Sequence, residues 1–188
     1  MPNFQLPDRI EAGRSALIVV DIQDKFRDII HGMNEVISAS RRMIKFSQEL
    51  DIPVLVTEHY PRGLGTTQPR IRELFNPFQP IEKIEFSCCG SDLFSEILEQ
   101  LDRDQIILVG IETHVCIYQT AFDLMRIGKQ VVVPADAVSS CSAANRELGL
   151  QRMTSLGVQI MGVQMLMFEI LKKAGTPQFK KVAPLLKE

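Results

Sequence analysis

Short apolar runs alternate along the chain with stretches of helical spacing. The runs at 16–20 (ALIVV), 53–57 (PVLVT), 105–109 (QIILV), 130–133 (QVVV) and 158–163 are rich in Val, Ile and Leu, and a weaker one lies at 81–86. Runs of this kind without polar alternation are expected of strands buried on both faces, as in a parallel sheet covered by helices. Between them, apolar residues recur at helical spacing: Met33, Val36, Ile37 and Ile44; Phe94, Ile97, Leu98 and Leu101; Tyr118, Ala121, Phe122 and Met125. Leu148 and Leu156 mark a sparser fourth stripe. Such stripes predict helices packed on a sheet. Ser91 is placed as an N-cap, and Gly128 and Gly157 as helix stops before the next strand. The alternation predicts an α/β fold: a three-layer α/β/α sandwich around a six-stranded parallel sheet, with right-handed crossovers and the Rossmann-like order 3-2-1-4-5-6. The segment 59–80 (HYPRGLGTTQPRIRELFNPFQP) is longer than packing requires, and long loops often carry function.

At 188 residues the chain matches one domain on a scale of roughly 100–200 residues, so a single unit over 1–188 is expected. With 45% apolar and 23% charged residues, the composition excludes a disordered or collagenous chain. The net charge of -2, with both signs interspersed, offers no polyanion-binding face, so no nucleic-acid partner is expected. The N-terminal segment lacks a basic and then apolar leader, and no apolar run approaches the roughly 18 residues of a membrane span. The expected location is cytoplasmic, with no membrane partner. Cys88, Cys89, Cys116 and Cys141 form no CxxC pair, and no disulfide framework is expected.

Ligands of open α/β sheets bind beyond the carboxyl ends of the strands. The first strand there runs into Asp21 and DIQDKF, which has no glycine and so lacks the dinucleotide fingerprint. Walker A, HExxH and GxSxG sequences are missing too. The strand at 105–109 leads through GIETHVC to Cys116, where a helix N-terminus is expected to favour the thiolate and to offer N–H groups to an oxyanion. In the predicted order, strands 1 and 4 are neighbours, so Asp21 and Cys116 face each other as base and nucleophile. Each has a plainer alternative: Asp21 as a turn former, Cys116 as a small buried hydrophobe. Cys88, Cys89 and Cys141 are assigned no chemistry, although Cys141 is placed near a pocket rim. His59 and His114 lack a second ligand at metal-binding spacing and read as structural or surface residues.

VVDIQDKF, EKIEFS and GIETHVCIYQTAFDLMRIG together resemble the isochorismatase-like cysteine hydrolase family, which includes nicotinamidases and carbamoylases. The resemblance spans nearly the whole chain. It implies a catalytic triad of Asp21, Lys83 and Cys116; Lys83 enters only through this resemblance. It also implies a cis peptide between Ile111 and Glu112, with an oxyanion hole made by the backbone N–H groups of Glu112 and Cys116. Phe26 matches an aromatic bordering the family's pocket, and Tyr60 and Phe86 join it by their strand-end positions. The histidines with which nicotinamidases hold a metal are missing from TEHYPRGLGTT, so neither a metal nor another cofactor is expected. True isochorismatases lack the nucleophilic cysteine, so Cys116 points away from vinyl-ether hydrolysis.

The expected function is cleavage of a small-molecule amide, ureido or related C–N bond through a thioester, by a homo-oligomer (dimer or tetramer). Two alternatives remain at this point: a ligand-binding or thiol-sensing protein without turnover, and an ether hydrolase.

Overall fold

The computed structural model describes residues 7–187. Its strands are β1 (Ser15–Val20), β2 (Val54–His59), β3 (Ile81–Lys83), β4 (Gln105–Ile111), β5 (Gln130–Pro134), β6 (Val138–Ser139) and β7 (Gln159–Met161). They pair in parallel in the order β3-β2-β1-β4-β5-β7, with β6 added beside the end of β4. The sixth position of the predicted order is thus filled by the seventh strand in sequence. The short β6 carries too little apolar sequence to be read as a strand. The weak run at 81–86 keeps its strand only through Lys83, after which the chain turns.

The helices are α1 (Met33–Glu49), α2 (Pro61–Leu64), α3 (Pro69–Arg72), α4 (Asp92–Leu101), α5 (Tyr118–Arg126), α6 (Ala143–Ser155), α7 (Val163–Leu171) and α8 (Pro177–Val182). Successive strand residues point to opposite sheet faces, and the two halves of the core follow that period. Leu17, Val19, Ile107 and Val109 pack with Met33, Val36, Ile37, Leu166 and Val182 on the α1, α7 and α8 side. Ala16, Ile18, Val20, Ile106 and Leu108 pack with Phe94, Leu98, Ala121, Leu124 and Met153 beneath α4, α5 and α6. Burial of both strand faces explains why the runs show no polar alternation.

The Ser91 hydroxyl accepts from the Phe94 amide and caps α4, while Gly128 and Gly157 take φ of +80° and +90° after α5 and α6. The α6 stripe is a correction. Leu148 is 61% exposed, and the buried face is instead Gly149, Leu150 and Met153. Gly149 stands there because a Cβ would lie 2.9 Å from the backbone of Thr113 and His114, so α6 packs directly on the turn that carries Cys116.

Gly110 combines φ of +140° with a close approach: a Cβ there would stand 2.2 Å from the Val20 carbonyl oxygen, next to Asp21. Gly110→Ala is expected to cost about 2–5 kcal/mol through strain and overpacking. Gly13→Ala, with nothing within 4 Å of the new methyl, is the neutral control. Denaturant midpoints of the two variants test the contrast.

Candidate active site

Sheet register assembles the site. Val20 pairs with Thr57 across β1 and β2, and His59 pairs with Lys83 across β2 and β3, so three strand ends arrive together. Asp21, one residue past β1, has a left-handed φ of 57° that turns its carboxylate into this space. Oδ1 accepts from the Thr57 hydroxyl at 2.7 Å, and Oδ2 accepts from Lys83 Nζ at 2.6 Å. Nζ also donates to the carbonyls of Glu85 at 3.2 Å and Phe86 at 3.4 Å. The chain therefore turns after Lys83 in a way that meets the three donors of the ammonium. Both side chains are buried, Lys83 wholly and Asp21 to within 2%. Burial is the largest single effect and opposes the lysine's charge, but Asp21 together with the nearby Cys88 and Cys116 outweighs it, and the Lys83 pKa is raised.

Cys116 belongs to the same cluster, near enough for Asp21 and Lys83 both to act on the charge of its thiol. The expected helix start is a π-helical turn, Thr113–Ile117, which runs into α5. Such turns recur at functional sites. Glu112 precedes it with φ of 55°, and the Ile117 amide reaches back to the Glu112 carbonyl. The peptide between Ile111 and Glu112 is trans, which corrects the cis bond implied by the resemblance; among the described residues the cis bond is Asn76–Pro77. The left-handed Glu112, after an extended Gly110 at positive φ, makes the sharp departure from β4 instead.

The expectation of a favoured thiolate is also corrected. Burial raises the Cys116 pKa, and the adjacent Asp21 carboxylate raises it further against a smaller opposing effect of Lys83. The thiol is 6% exposed and retains its proton, poised against a carboxylate.

Sequence reasoning missed several members of the cluster. Cys88, fully buried, lies 3.9 Å from the Thr57 hydroxyl, and its amide bonds the Thr120 hydroxyl at 2.9 Å. Burial and Asp21 push its pKa up to about 12. Gln23, the Q of DIQDKF, is buried and ties down the long segment: its Nε2 donates to the carbonyls of His59 and Gly65, and its Oε1 accepts from the His59 amide. Glu58 accepts from the amide and hydroxyl of Thr67 at 2.6 and 2.8 Å, which commits its carboxylate to the loop. The pattern of Gln at position 3 and Thr within a strand was visible, but nothing in sequence says that these side chains point at one another.

The pocket aromatics separate. Tyr60 and Lys83 line one cavity of about 500 Å³. Phe86 is 52% exposed and stacks on His59 with ring centroids 5.5 Å apart. Phe26 is half-buried and packs against the α1 side of the core. A larger cavity of about 660 Å³ lies between α4 and α5, with Cys89 and Asp123 in its lining. Neither cavity has Asp21 or Cys116 in its lining; the smaller one reaches the cluster only at Lys83.

A parallel sheet wrapped by helices, with a buried carboxylate, ammonium and thiol at the carboxyl ends of its strands, defines the class. The family model of the isochorismatase domain matches residues 15–165, and the chain belongs to that family. Isochorismatase domain-containing protein 2B of Mus musculus is 39% identical, over 96% of this chain and 84% of that protein. Isochorismatase family protein 1A of Dictyostelium discoideum is 35% identical, over 93% and 86%. Among solved structures, the MAR1 ribonuclease of Caenorhabditis elegans superposes with a TM-score of 0.90 at 37% identity, covering 96% of this chain and 93% of that one. No helix among the described residues is long and apolar enough to cross a membrane.

Two outcomes follow. Removing one partner of a buried ion pair leaves an uncompensated charge, so Asp21→Asn or Lys83→Met alone is expected to cost about 3–5 kcal/mol. The double variant should recover part of that loss, as a denaturant double-mutant cycle reads out. Second, folded Cys88 and Cys116 hold their protons to higher pH than in the unfolded chain. Their stabilisation is complete below an unfolded value of about 8.5 and is lost as pH rises toward the folded values. Stability should therefore fall across that alkaline window, with each thiol adding about 1.4 kcal/mol per pH unit. Urea unfolding from pH 8 to 11 tests this, and Cys88→Ala should flatten the slope.

Proposed function

We propose that the protein is a cysteine hydrolase that cleaves an amide, ureido or related C–N bond of a small molecule, with Asp21, Lys83 and Cys116 as its catalytic groups. The observation that carries this reading is the buried Asp21–Lys83 pair, 2.6 Å long, with the Cys116 thiol close enough to feel both charges.

Asp21 takes the thiol proton as the sulfur attacks the substrate carbonyl. The Lys83 ammonium offsets the charge passing from carboxylate to sulfur to substrate oxygen. The backbone N–H of Cys116 is the donor assigned to the oxyanion; the Glu112 N–H was implied together with a cis bond, and that peptide is trans here. The tetrahedral adduct collapses with loss of the amine, which leaves with the proton held by Asp21, and a thioester remains. Water, deprotonated by Asp21, then attacks the thioester and releases the acid and the thiol. Proton transfer by a positioned group supplies about 10²- to 10⁴-fold of rate, and this matters here because the resting thiol is not ionised in advance.

That protonated state also argues against a thiol sensor, since such residues depend on thiolate character and exposure. A net charge of -2 with interspersed signs supports a small substrate over a polyanion; the ribonuclease name belongs to the nematode protein. Tyr60 lines the Lys83 cavity and Phe86 stacks on His59, and both are read as substrate-facing. Phe26, packed against the α1 side of the core, is read as bordering the pocket from that side. Cytoplasmic residence and homo-oligomeric assembly belong to the same reading, as does catalysis by the three side chains without a metal at Glu58 and His59.

Screening against primary amides and carbamoyl compounds, with intact-protein mass spectrometry of the quenched reaction, tests the proposal. An acyl adduct on Cys116 is expected, and Cys116→Ala should lose turnover by about 10³-fold or more. Undiminished turnover in that variant rules out the thioester route. Turnover of a vinyl ether without an adduct selects the ether-hydrolase alternative.

A further inference from the structure

Glu112, His114 and Cys141 converge from two distant segments. The first two flank the entrance to the π-helical turn, and Cys141 lies in the loop between β6 and α6. One ligand atom from each comes within 4.8 Å of the others. Along the sequence, His114 has no second His, Cys or Asp at metal-binding spacing. The partners are Glu112, two residues away, and a cysteine that reaches it only through space. We propose that these three side chains form a binding site for a zinc-class divalent cation, separate from the Asp21–Lys83–Cys116 cluster.

Geometry supports this first. Glu112 Oε2 stands 3.3 Å from His114 Nδ1. Two ligand atoms each about 2.0–2.1 Å from one zinc ion at tetrahedral angles stand about 3.3 Å apart. The pair thus already forms one edge of the coordination tetrahedron. Glu112 Oε2 is shut off from solvent and has no hydrogen-bond partner, a costly condition for a carboxylate oxygen and one that a cation relieves.

Cys141 is exposed, and its sulfur is held only by the Asn145 side-chain amide at 3.3 Å. Ser142 caps α6 by accepting from the Asn145 amide and fixes the loop on which Cys141 rides.

Donor chemistry selects the ion. A thiolate, an imidazole and a carboxylate suit zinc, whereas calcium and magnesium require an all-oxygen set. One thiolate and one carboxylate balance the two charges of the ion, and three protein ligands leave a fourth position facing solvent. The competing arrangement is a plain Glu112–His114 ion pair, with the Ser140 hydroxyl, 3.1 Å from Nδ1, completing the imidazole's contacts. An ion bound at the site pins Glu112, the left-handed residue from which the Cys116 turn departs.

The test uses the full chain freed of metal by chelation, with cobalt(II) as the spectroscopic probe and zinc(II) in competition against a chromogenic chelator. One equivalent of cobalt is expected, with a thiolate-to-cobalt absorption band that zinc abolishes. Cys141→Ser should remove the band, and Cys141→Ser, His114→Gln and Glu112→Gln should each weaken zinc binding about tenfold or more. The band should survive in Cys116→Ala and Cys89→Ser. Because Cys141 is exposed, its variant is expected to melt at the metal-free temperature of the unaltered chain and to lose the rise that zinc produces. Absence of stoichiometric binding, a band that persists in Cys141→Ser, or one lost in Cys116→Ala would each overturn the proposal. None of these readouts depends on turnover, so failure of the hydrolase reading leaves the site intact, and the converse holds.

Discussion

The site depends on one buried ion pair. Removing a carboxylate and an ammonium from water costs several kcal/mol per ion, and mutual attraction repays it only where the remaining donors and acceptors are also met. Thr57 supplies the other bond to Asp21, and the Glu85 and Phe86 carbonyls complete Lys83. Asp21 and Lys83 follow or end strands that are not adjacent, since β2 lies between them. The pair forms because two parallel registers, β1 on β2 and β2 on β3, hold the strand ends level. A one-residue slip in either would turn side chains to the other face.

The pair also sets the state of the sulfur beside it. A carboxylate next to a buried thiol favours the protonated form, and the lysine, already engaged by that carboxylate, counters only part of this effect. The resting cluster is thus a charged pair and a neutral thiol. Cys88, on the other side of Thr57, is held neutral by the same burial and the same carboxylate.

The architecture was legible because burial on both sheet faces writes itself directly into composition: uninterrupted Val, Ile and Leu at 17–20, 106–109 and 131–133 can hardly serve another purpose. The caps at Ser91, Gly128 and Gly157 follow equally local rules. Short β6 was not legible, since two residues carry no period, and Leu148 misled because α6 buries a glycine where a larger apolar residue was sought. Asp21 and Cys116 were readable from strand order. Lys83 was readable only by resemblance, since a lone lysine near a strand end has no periodicity to mark it. Cys88, Thr57 and Gln23 meet their partners across 31 or more residues of chain, as do the bonds of Cys88 to Thr57, Thr57 to Asp21 and Gln23 to His59. The electrostatics of Cys116 escaped for a related reason: a helix terminus is visible in sequence, whereas the depth of a sulfur below the surface is not.

The long segment after β2 is anchored at several points. Gln23 holds its start, Glu58 holds Thr67, the Asp24 amide bonds the Thr66 carbonyl and the Gln68 amide bonds the Ile22 carbonyl. These ties bind the stretch from 59 to 68 and the turn that carries Asp21 into one unit. A displacement of either is therefore passed directly to the other, although some forty residues of chain separate them.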